Sequence, residues 1–303
     1  MLQVSDEVAA ALAAGRGVVA LESSLVAHGF PYPDNLAVGR AMLAAVRAAG
    51  AVPAMIAVQD GTIRVGLDEA GLARLAQGGA VKCSSRDLAW AVAGGHDGAT
   101  TVAATARIAA LAGIGIFATG GIGGVHRTEP GASAPADVSA DLAELARTPI
   151  AVVTAGAKSI LDLPATLERL ETLGIPVIGF ATSDFPAFHS RESGLTLDRR
   201  VEDVAGLARL VMAQRRLGLP QAVVICNPPP VEAAMPAAEV AALIAAAMAQ
   251  AAVEKVRGGA LTPFLLAALD RLSGGRTRRV NHALAVSNAE LAGRLAQRLA
   301  SGV

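Results

Sequence analysis

The most constraining feature of this sequence is a series of short apolar runs that alternate with helical patterns along nearly the whole chain. The runs are rich in Val, Ile and Ala, and they hold too few polar residues for one face to meet water. Strands of mainly parallel sheets, which are covered on both faces, have this composition. The pattern predicts strands at residues 17–21, 53–58, 80–83, 114–118, 149–154, 176–180 and 222–225.

The segments between these runs complete the fold prediction. Asp34 is placed to cap a helix that runs to about Ala49, and Gly50 follows its end. Asp60-Gly61 lies between two apolar segments and predicts a hairpin, hence a small antiparallel element. Because no linker-like composition divides the chain, we expect residues 1–303 to form one three-layer α/β/α domain with a central, mainly parallel sheet.

Composition narrows the classes of function. The 26 basic residues balance 26 acidic ones, so composition offers no basic face for nucleic acid. Cys83 and Cys226 lack metal-ligand spacing and are expected to be buried, reduced thiols, which favours the cytoplasm. The first residues lack the basic segment of a signal peptide. The Ala-rich stretch 236–253 contains Glu239 and predicts a core-facing helix rather than a membrane span.

Polar residues follow several of the predicted strands. In α/β sheets, ligands bind outside the carboxyl ends of the strands, so we expect these side chains to converge on one site. The polar positions are Glu22, Lys82, the glycine loop at 119–124 (Thr-Gly-Gly-Ile-Gly-Gly), Lys158 and Asn227.

Lysine is rare in this chain, which has only Lys82, Lys158 and Lys255 among its 26 basic residues. A desolvated ammonium can lose its proton and attack a carbonyl carbon, whereas a guanidinium stays charged. Lys82 and Lys158 lie in apolar contexts at strand ends and are candidates for such chemistry, with a structural ion pair as the alternative. Lys255 lies at a predicted helix end and needs no special role.

Two further patterns are compatible with ligand binding. The glycine loop would let its main-chain amides approach an anion, and the following His126 and Arg127 would add donors; a tight structural turn is the alternative. Asp137 and Asp141 lie four residues apart at the start of a predicted helix that runs to about Arg147. They could bind a hard divalent cation, or Asp137 could simply cap the helix.

Longer motifs resemble the pseudouridine-5′-phosphate glycosidase family over essentially the whole chain. An example is Ala-Gly-Ala-Lys-Ser-Ile-Leu-Asp around Lys158. The segments that carry the resemblance are 20–24, 28–33, 98–105, 117–127, 137–141, 154–162, 185–188, 227–228, 262–266 and Asn281.

The resemblance implies a manganese-dependent α/β/α enzyme of pseudouridine catabolism, usually a homotrimer, with one ion per subunit. Such an enzyme reversibly cleaves pseudouridine 5′-phosphate to uracil and ribose 5-phosphate, and it needs neither nucleic acid nor a membrane. Carried over motif by motif, Lys158 is the Schiff-base nucleophile, Glu22 the proton donor and Asp137 the metal ligand. The implied substrate contacts are Lys82, Val102, Ser139, Ala140 and Asp141, with Asn281 reading the uracil.

The chemistry accounts for these implied roles. A C–C glycosidic bond has no heteroatom to protonate and expel, so the ribose ring must open and C1′ must gain an electron sink, which an iminium on Lys158 supplies. Glu22 would move protons, for which a raised pKa helps. Our hypothesis for the phosphate is Lys82, Thr119, His126 and the amides of the glycine loop, while the metal orients water and substrate oxygens.

The sequence departs from the family pattern in one segment and is compatible with two other functions. Residues 128–136 form a stretch a few residues longer than is usual in the family, and a lid there could alter metal or phosphate affinity. One alternative is a Schiff-base aldolase or lyase that acts on another sugar phosphate. The other is a non-catalytic sugar-phosphate or nucleotide sensor on the same scaffold. Spacing gives no role to His96, His189 or His282.

Overall fold

The computed structural model describes residues 2–127, 137–256 and 261–302. The stretch 128–136 therefore lies outside the described residues. The strands are β1 (Leu2–Val4), β2 (Val18–Glu22), β3 (Val52–Gln59), β4 (Thr62–Val65), β5 (Val81–Cys83), β6 (Gly98–Thr100), β7 (Ile116–Ala118), β8 (Val125–His126), β9 (Ala151–Thr154), β10 (Leu161–Asp162), β11 (Val177–Phe180), β12 (Arg200–Val201) and β13 (Val223–Cys226).

The α-helices are distributed along the whole described chain. They are α1 (Asp6–Ala13), α2 (Ser24–His28), α3 (Asp34–Ala48), α4 (Glu69–Ala76), α5 (Leu88–Ala93), α6 (Val102–Leu111), α7 (Ala140–Leu145), α8 (Leu163–Thr172), α9 (Val204–Arg216), α10 (Ala237–Val253), α11 (Leu261–Leu272) and α12 (Arg276–Ala300).

The centre of the main sheet consists of β2, β7, β9 and β13, which are neighbours and run parallel. Every apolar run that predicted a strand is a strand, with ends displaced by at most two residues. The four central strands are buried along their whole length, which explains why their sequences do not alternate between apolar and polar residues. Their carboxyl ends lie at one edge of the sheet.

Helices cover both faces of this sheet, which confirms the three-layer α/β/α prediction. Helices α3 and α12 pack on one face, and α6 packs on β2, β3 and β7 from the other. At Gly293 of α12 an added Cβ would lie 2.7 Å from the Cβ of Ala49, so glycine there allows α12 to approach the end of α3. The predicted cap of α3 was one residue off, because Pro33 is the N-cap and Asp34 begins the helix.

The antiparallel element is also present. Gln59 pairs with Thr62 across the two-residue turn Asp60-Gly61, where both residues have positive φ, 49° and 68°. Positive φ at both central positions matches a type I′ hairpin turn. A second small antiparallel sheet pairs β8 with β10.

Strands β5 and β6 depart from the prediction that all the polar residues lie at equivalent strand ends. β6 runs antiparallel to β3, and β5 runs parallel to β6. Lys82 is the middle residue of β5, so it belongs to strands that run opposite to the central ones. The apolar pattern identified β5 but not β6 (Gly98–Thr100), and a short strand carries no signal for its direction.

Helix α10 occupies the Ala-rich stretch that was predicted to be a helix, and four of its residues are buried in the core. Within the described ranges, no helix combines the length and the apolar character needed to cross a membrane.

Candidate active site

Glu22 is the last residue of β2, and its carboxyl group is buried at the carboxyl edge of the sheet. The Ser24 hydroxyl donates to one carboxyl oxygen and the Thr119 hydroxyl donates to the other. Burial raises the pKa of Glu22, and the positive charge of Lys158 and the two hydroxyl donors oppose this rise. A buried carboxyl with a raised pKa that retains polar partners is suited to hold and deliver a proton.

Lys158 lies in the loop after β9, four residues beyond the end of the strand. Its amide donates to the Ile122 carbonyl at 3.1 Å, and its carbonyl accepts from the Leu161 amide at 3.0 Å, so the main chain is fixed on both sides. The side chain is half-buried. Its charge acts on Glu22, as described above, and lies close enough to perturb Lys82 as well.

Three further cationic or basic side chains face the same region. Desolvation lowers the pKa of Lys82, and the Lys158 charge lowers it further. Desolvation also lowers the pKa of His126, with Asp137 opposing that change and the two lysines adding to it. His28, which the sequence analysis gave no role, has a pKa lowered by desolvation and by Lys82. Lys82, Lys158 and His126 therefore converge, which agrees with an anionic substrate.

The glycine loop makes a tight structural turn. The amide of Ile122 donates to the Gly156 carbonyl at 3.0 Å, and the amide of Gly123 donates to a carboxylate oxygen of Asp141 at 2.8 Å. A Cβ at Gly121 would lie 2.5 Å from the Phe188 ring. These two amides are occupied, so the prediction that the loop's amides cradle a phosphate is wrong for them.

The Thr119 side chain is also engaged. It is fully buried and donates its hydroxyl to Glu22, while its amide donates to the Val153 carbonyl at 3.0 Å. The Thr119 hydroxyl hydrogen therefore points at the buried Glu22 carboxyl group. A role for Thr119 in supporting Glu22 fits these contacts better than the predicted phosphate contact.

The acidic pair differs from its prediction. Helix α7 begins at Ala140, with Ser139 as its N-cap; the Ser139 hydroxyl accepts from the Asp141 amide at 3.2 Å. Asp137 precedes the helix and is exposed, whereas Asp141 is buried. The two carboxylates therefore do not share one helix face, because Asp137 lies outside the helix that would have aligned them.

Asp141 instead joins three elements. Its two oxygens accept from the amides of Ala103, in the first turn of α6, and Gly123, at 2.9 and 2.8 Å. A carboxylate at a helix N-terminus also stabilises the helix dipole. The predicted substrate contacts Ser139 and Ala140 thus begin a helix that this carboxylate fixes against the glycine loop.

The N-terminus of α6 carries a group that the sequence analysis missed. Val102, a predicted substrate contact, is its first residue and is buried, and Thr101 is the N-cap. The Thr101 hydroxyl oxygen is buried and has no hydrogen-bond partner among residues 2–127, 137–256 and 261–302. A buried hydroxyl without such a partner has a hydrogen bond left to make and is a candidate to bind a ligand. Its signal in the sequence was two consecutive threonines before a helical pattern.

Helix α12 contributes two asparagines one heptad apart. Asn281 lines a cavity of about 320 Å³ together with His28 and His189, and its side-chain oxygen is buried without a partner in the described part of the chain. Asn288 was missed; its amide donates to the Thr119 carbonyl at 2.8 Å, and its oxygen accepts from Asn227 at 3.0 Å. Its signal was a polar residue on the apolar face of the helix.

The predicted metal ligand can be tested against its surroundings. Among the described residues, no group of three or more His, Cys, Asp or Glu side chains could hold a metal ion. Asp137 is exposed, and its charge opposes the lowering of the pKa of the nearby His126 by desolvation. Mg²⁺-like ions are often held by one or two carboxylates, with water and substrate oxygens completing the shell. A single exposed Asp137 carboxylate fits an ion whose shell is completed by water and substrate oxygens, and the described residues do not form an enclosed metal site.

Both the sequence and the structure of this chain are similar to those of known proteins over nearly their whole length. A family model described as indigoidine synthase A like protein matches residues 7–298. A pseudouridine-5′-phosphate glycosidase from Myxococcus xanthus is 51% identical over 97% of each chain. The structure of prealnumycin C-glycosynthase AlnA in complex with ribulose 5-phosphate is similar, with a TM-score of 0.90, 42% identity and coverage of 99% and 97%. An indigoidine synthase A-like protein from Thermotoga maritima has a TM-score of 0.87, 35% identity and coverage of 99% and 97%.

Proposed function

We propose that this chain, which belongs to the family of indigoidine synthase A like proteins and pseudouridine-5′-phosphate glycosidases, reversibly cleaves pseudouridine 5′-phosphate to uracil and ribose 5-phosphate. The observation that carries the proposal is the convergence of a buried Glu22 and a half-buried Lys158 at the carboxyl edge of the sheet. The relatives that carry this activity in their names match the chain nearly end to end. The similar protein that binds ribulose 5-phosphate supports a sugar phosphate as ligand.

In the proposed mechanism, Glu22 and Lys158 open the ribose ring together. The neutral Lys158 amine bonds to C1′ while the bond from C1′ to the ring oxygen breaks, and Glu22 gives its proton to that oxygen. Burial supports this role of Glu22 because the raised pKa keeps the carboxyl group protonated to higher pH.

Cleavage of the C–C bond then draws on the new C–N bond. After the attack the lysine nitrogen carries an extra proton, and the Glu22 carboxylate removes it, which leaves the nitrogen with a lone pair. Glu22 delivers this proton to the uracil carbon C5, the bond between C5 and C1′ breaks, and its electrons remain on the departing uracil. The lysine nitrogen lone pair forms the iminium at C1′. Water hydrolyses the iminium and releases ribose 5-phosphate, and the proton left on the lysine nitrogen returns to Glu22, which restores the neutral Lys158 amine.

Binding of the phosphate is assigned to the cationic side of the site. Lys82 and His126 lie within electrostatic range of Lys158, so all three favour a dianionic group. The buried Thr101 hydroxyl at the N-terminus of α6 supports an additional donor there. The buried side-chain oxygen of Asn281 has no donor among the described residues and would accept a hydrogen bond from an N–H of the uracil ring.

A manganese ion is part of the proposal. The Asp137 carboxylate would hold it, and when bound the ion would supply Lewis acidity and orient substrate oxygens. Asp137 lies beside His126 at the exposed side of the site, which is compatible with an ion that water and substrate reach directly.

Location and assembly also remain proposals. Cys83 and Cys226 are free and buried thiols, which supports the reducing cytoplasm. The resemblance of the sequence to the glycosidases supports a homotrimer, which light scattering coupled to size-exclusion chromatography would test by giving three times the 30.4 kDa subunit mass.

The decisive experiment is incubation of the purified protein with pseudouridine 5′-phosphate and Mn²⁺, with uracil and ribose 5-phosphate measured by chromatography. Borohydride added with ribose 5-phosphate should form a stable adduct that mass spectrometry locates at Lys158. Lys158→Ala should abolish both results. Lys255→Ala is the matched control, because Lys255 is exposed and lies after α10, and it should keep full turnover.

Three outcomes separate the alternatives. An adduct at Lys158 without release of uracil would replace the glycosidase with an aldolase or lyase that acts on another sugar phosphate. Binding of ribose 5-phosphate with neither adduct nor turnover would favour a sensor. Full turnover by Lys158→Ala would refute the role of this lysine.

A further inference from the structure

The loop that carries Lys158 is clamped by residues 185–190, which we call the clamp segment. The amide of Phe188 donates to the Ala155 carbonyl at 3.0 Å. Gly156 has φ of +81°, and a Cβ there would lie 2.0 Å from the Pro186 carbonyl oxygen. The two main chains therefore approach more closely than any other residue at this position would permit.

A side-chain contact joins the same two segments. The Ser159 hydroxyl lies 2.9 Å from Nδ1 of His189, and both residues are almost completely buried, with 3% and 2% of their surface exposed. Ser159 directly follows Lys158 in the chain. The hydrogen bond thus ends one residue from the proposed nucleophile.

His189 is held at both its main chain and its ring. Its main-chain carbonyl accepts from the Met235 amide at 2.9 Å, and its ring packs edge-on against Phe188, with centroids 4.8 Å apart. Burial lowers the pKa of His189 to about 3, so the imidazole is neutral at physiological pH. A neutral ring with a fixed main chain is a rigid hydrogen-bond partner rather than a proton carrier.

His189 also reaches the substrate side of the site. It lines the cavity of about 320 Å³ that Asn281 lines. His189 therefore adjoins both the loop of the nucleophile and the cavity that Asn281, the residue proposed to contact the uracil, also lines. An apolar side chain would fill a purely structural position equally well, whereas this position retains a buried polar pair.

We propose that His189 is a positioning residue, which through Ser159 fixes the main chain of Lys158 so that its amine meets the sugar C1′. The proposal rests on the proposed function and extends it beyond the groups that touch the substrate. Misplacement of a reacting group by about 1 Å can cost on the order of 100-fold in rate, so loss of this contact should act on the chemical step.

The test compares His189→Leu, Ser159→Ala, the double variant and His189→Asn, whose amide can replace the polar atom at Nδ1. We would measure the single-turnover rate of the borohydride-trapped adduct with ribose 5-phosphate, and kcat and KM for release of uracil. His189→Leu and Ser159→Ala should each slow adduct formation about 10-fold or more. The KM of these variants should stay within about two-fold of the wild-type value. The double variant should form the adduct no more slowly than the slower single variant, and His189→Asn should recover part of the rate.

Thr148→Val is the control for a general loss of stability. Thr148 is buried, and its hydroxyl donates to Glu144 at 2.9 Å, so this variant also removes one buried hydrogen bond between side chains. Its melting temperature should fall while its adduct rate stays at the wild-type value.

The results distinguish this proposal from the proposed function. Wild-type rates in His189→Leu, independent effects of the two single variants, or no recovery in His189→Asn would overturn the positioning role while leaving the nucleophile in place. Absence of the adduct in the wild-type protein would overturn both.

Discussion

Asp141 provides the sharpest test of the site's architecture, because its sequence-based role and its contacts point to different functions. The resemblance implied a substrate contact, yet both carboxylate oxygens accept main-chain amides, from Ala103 and Gly123. Asp141→Asn keeps the volume and replaces one acceptor oxygen with an NH₂ group. One of the two amides would then face a donor.

The loss of stability expected in Asp141→Asn can be worked out from these two hydrogen bonds. A buried donor left without a partner costs about 1–3 kcal/mol, and loss of the charge on the remaining acceptor weakens the second bond by about 1 kcal/mol. Asp141→Asn should therefore lower the free energy of unfolding by about 3 kcal/mol. In a chain of this size, 1 kcal/mol corresponds to about 2 °C, so the melting temperature should fall by about 6 °C.

The assay is urea denaturation followed by circular dichroism, without substrate or added metal, so that ligand binding does not contribute. Asp137→Asn is the matched control. The exposed Asp137 should change the free energy of unfolding by less than about 0.5 kcal/mol, although its loss should weaken activation by Mn²⁺. A change below 0.5 kcal/mol in Asp141→Asn, or an equal loss in both variants, would refute the structural role of Asp141.

Two further predictions concern Glu22 and Asn288. Below pH 4.5 the protonated Glu22 carries no penalty; as pH rises through its raised folded-state pKa, the wild type should lose stability relative to Glu22→Gln. Urea denaturation between pH 4 and 8 would measure the difference in free energy of unfolding between the two proteins. A difference that shrinks as pH rises would contradict the burial argument. The turnover of Glu22→Gln should be about 10²- to 10⁴-fold lower than that of the wild type. Asn288→Leu removes the donor to the Thr119 carbonyl and should cost about 2–4 kcal/mol by the same denaturation assay, whereas a neutral result would mean that water replaces it.

The strand pattern predicted the central sheet because burial on both faces leaves a direct trace in composition. The same logic placed Glu22, Lys158 and Asn227 at or after the carboxyl ends of strands β2, β9 and β13, which are parallel and near one another. Parallel strands have their carboxyl ends at one edge, so positions along the chain were enough to predict that these side chains share a site.

Contacts between distant segments could not be predicted in this way. The sequence of the glycine loop predicted that its main-chain amides bind an anion. In the structure its glycines instead leave space for groups such as the Phe188 ring and the Asp141 carboxylate. Likewise, the spacing of Asp137 and Asp141 predicted a shared helix face only under the assumption that the helix began at Asp137. Ser139 caps it instead, because its hydroxyl accepts from the Asp141 amide.

By itself, the sequence determined the layered α/β fold and the chemistry that is present: a rare lysine, an acid at a strand end and the motifs of a family. Periodicity and residue type are local properties, so they can be read along the chain. Only the tertiary structure decided which groups are buried and which partners they meet. It set the pKa of Glu22 and paired Asp141 with two amides. It also brought His189 to Ser159 across 30 residues of chain, since desolvation and hydrogen bonding depend on distance in space.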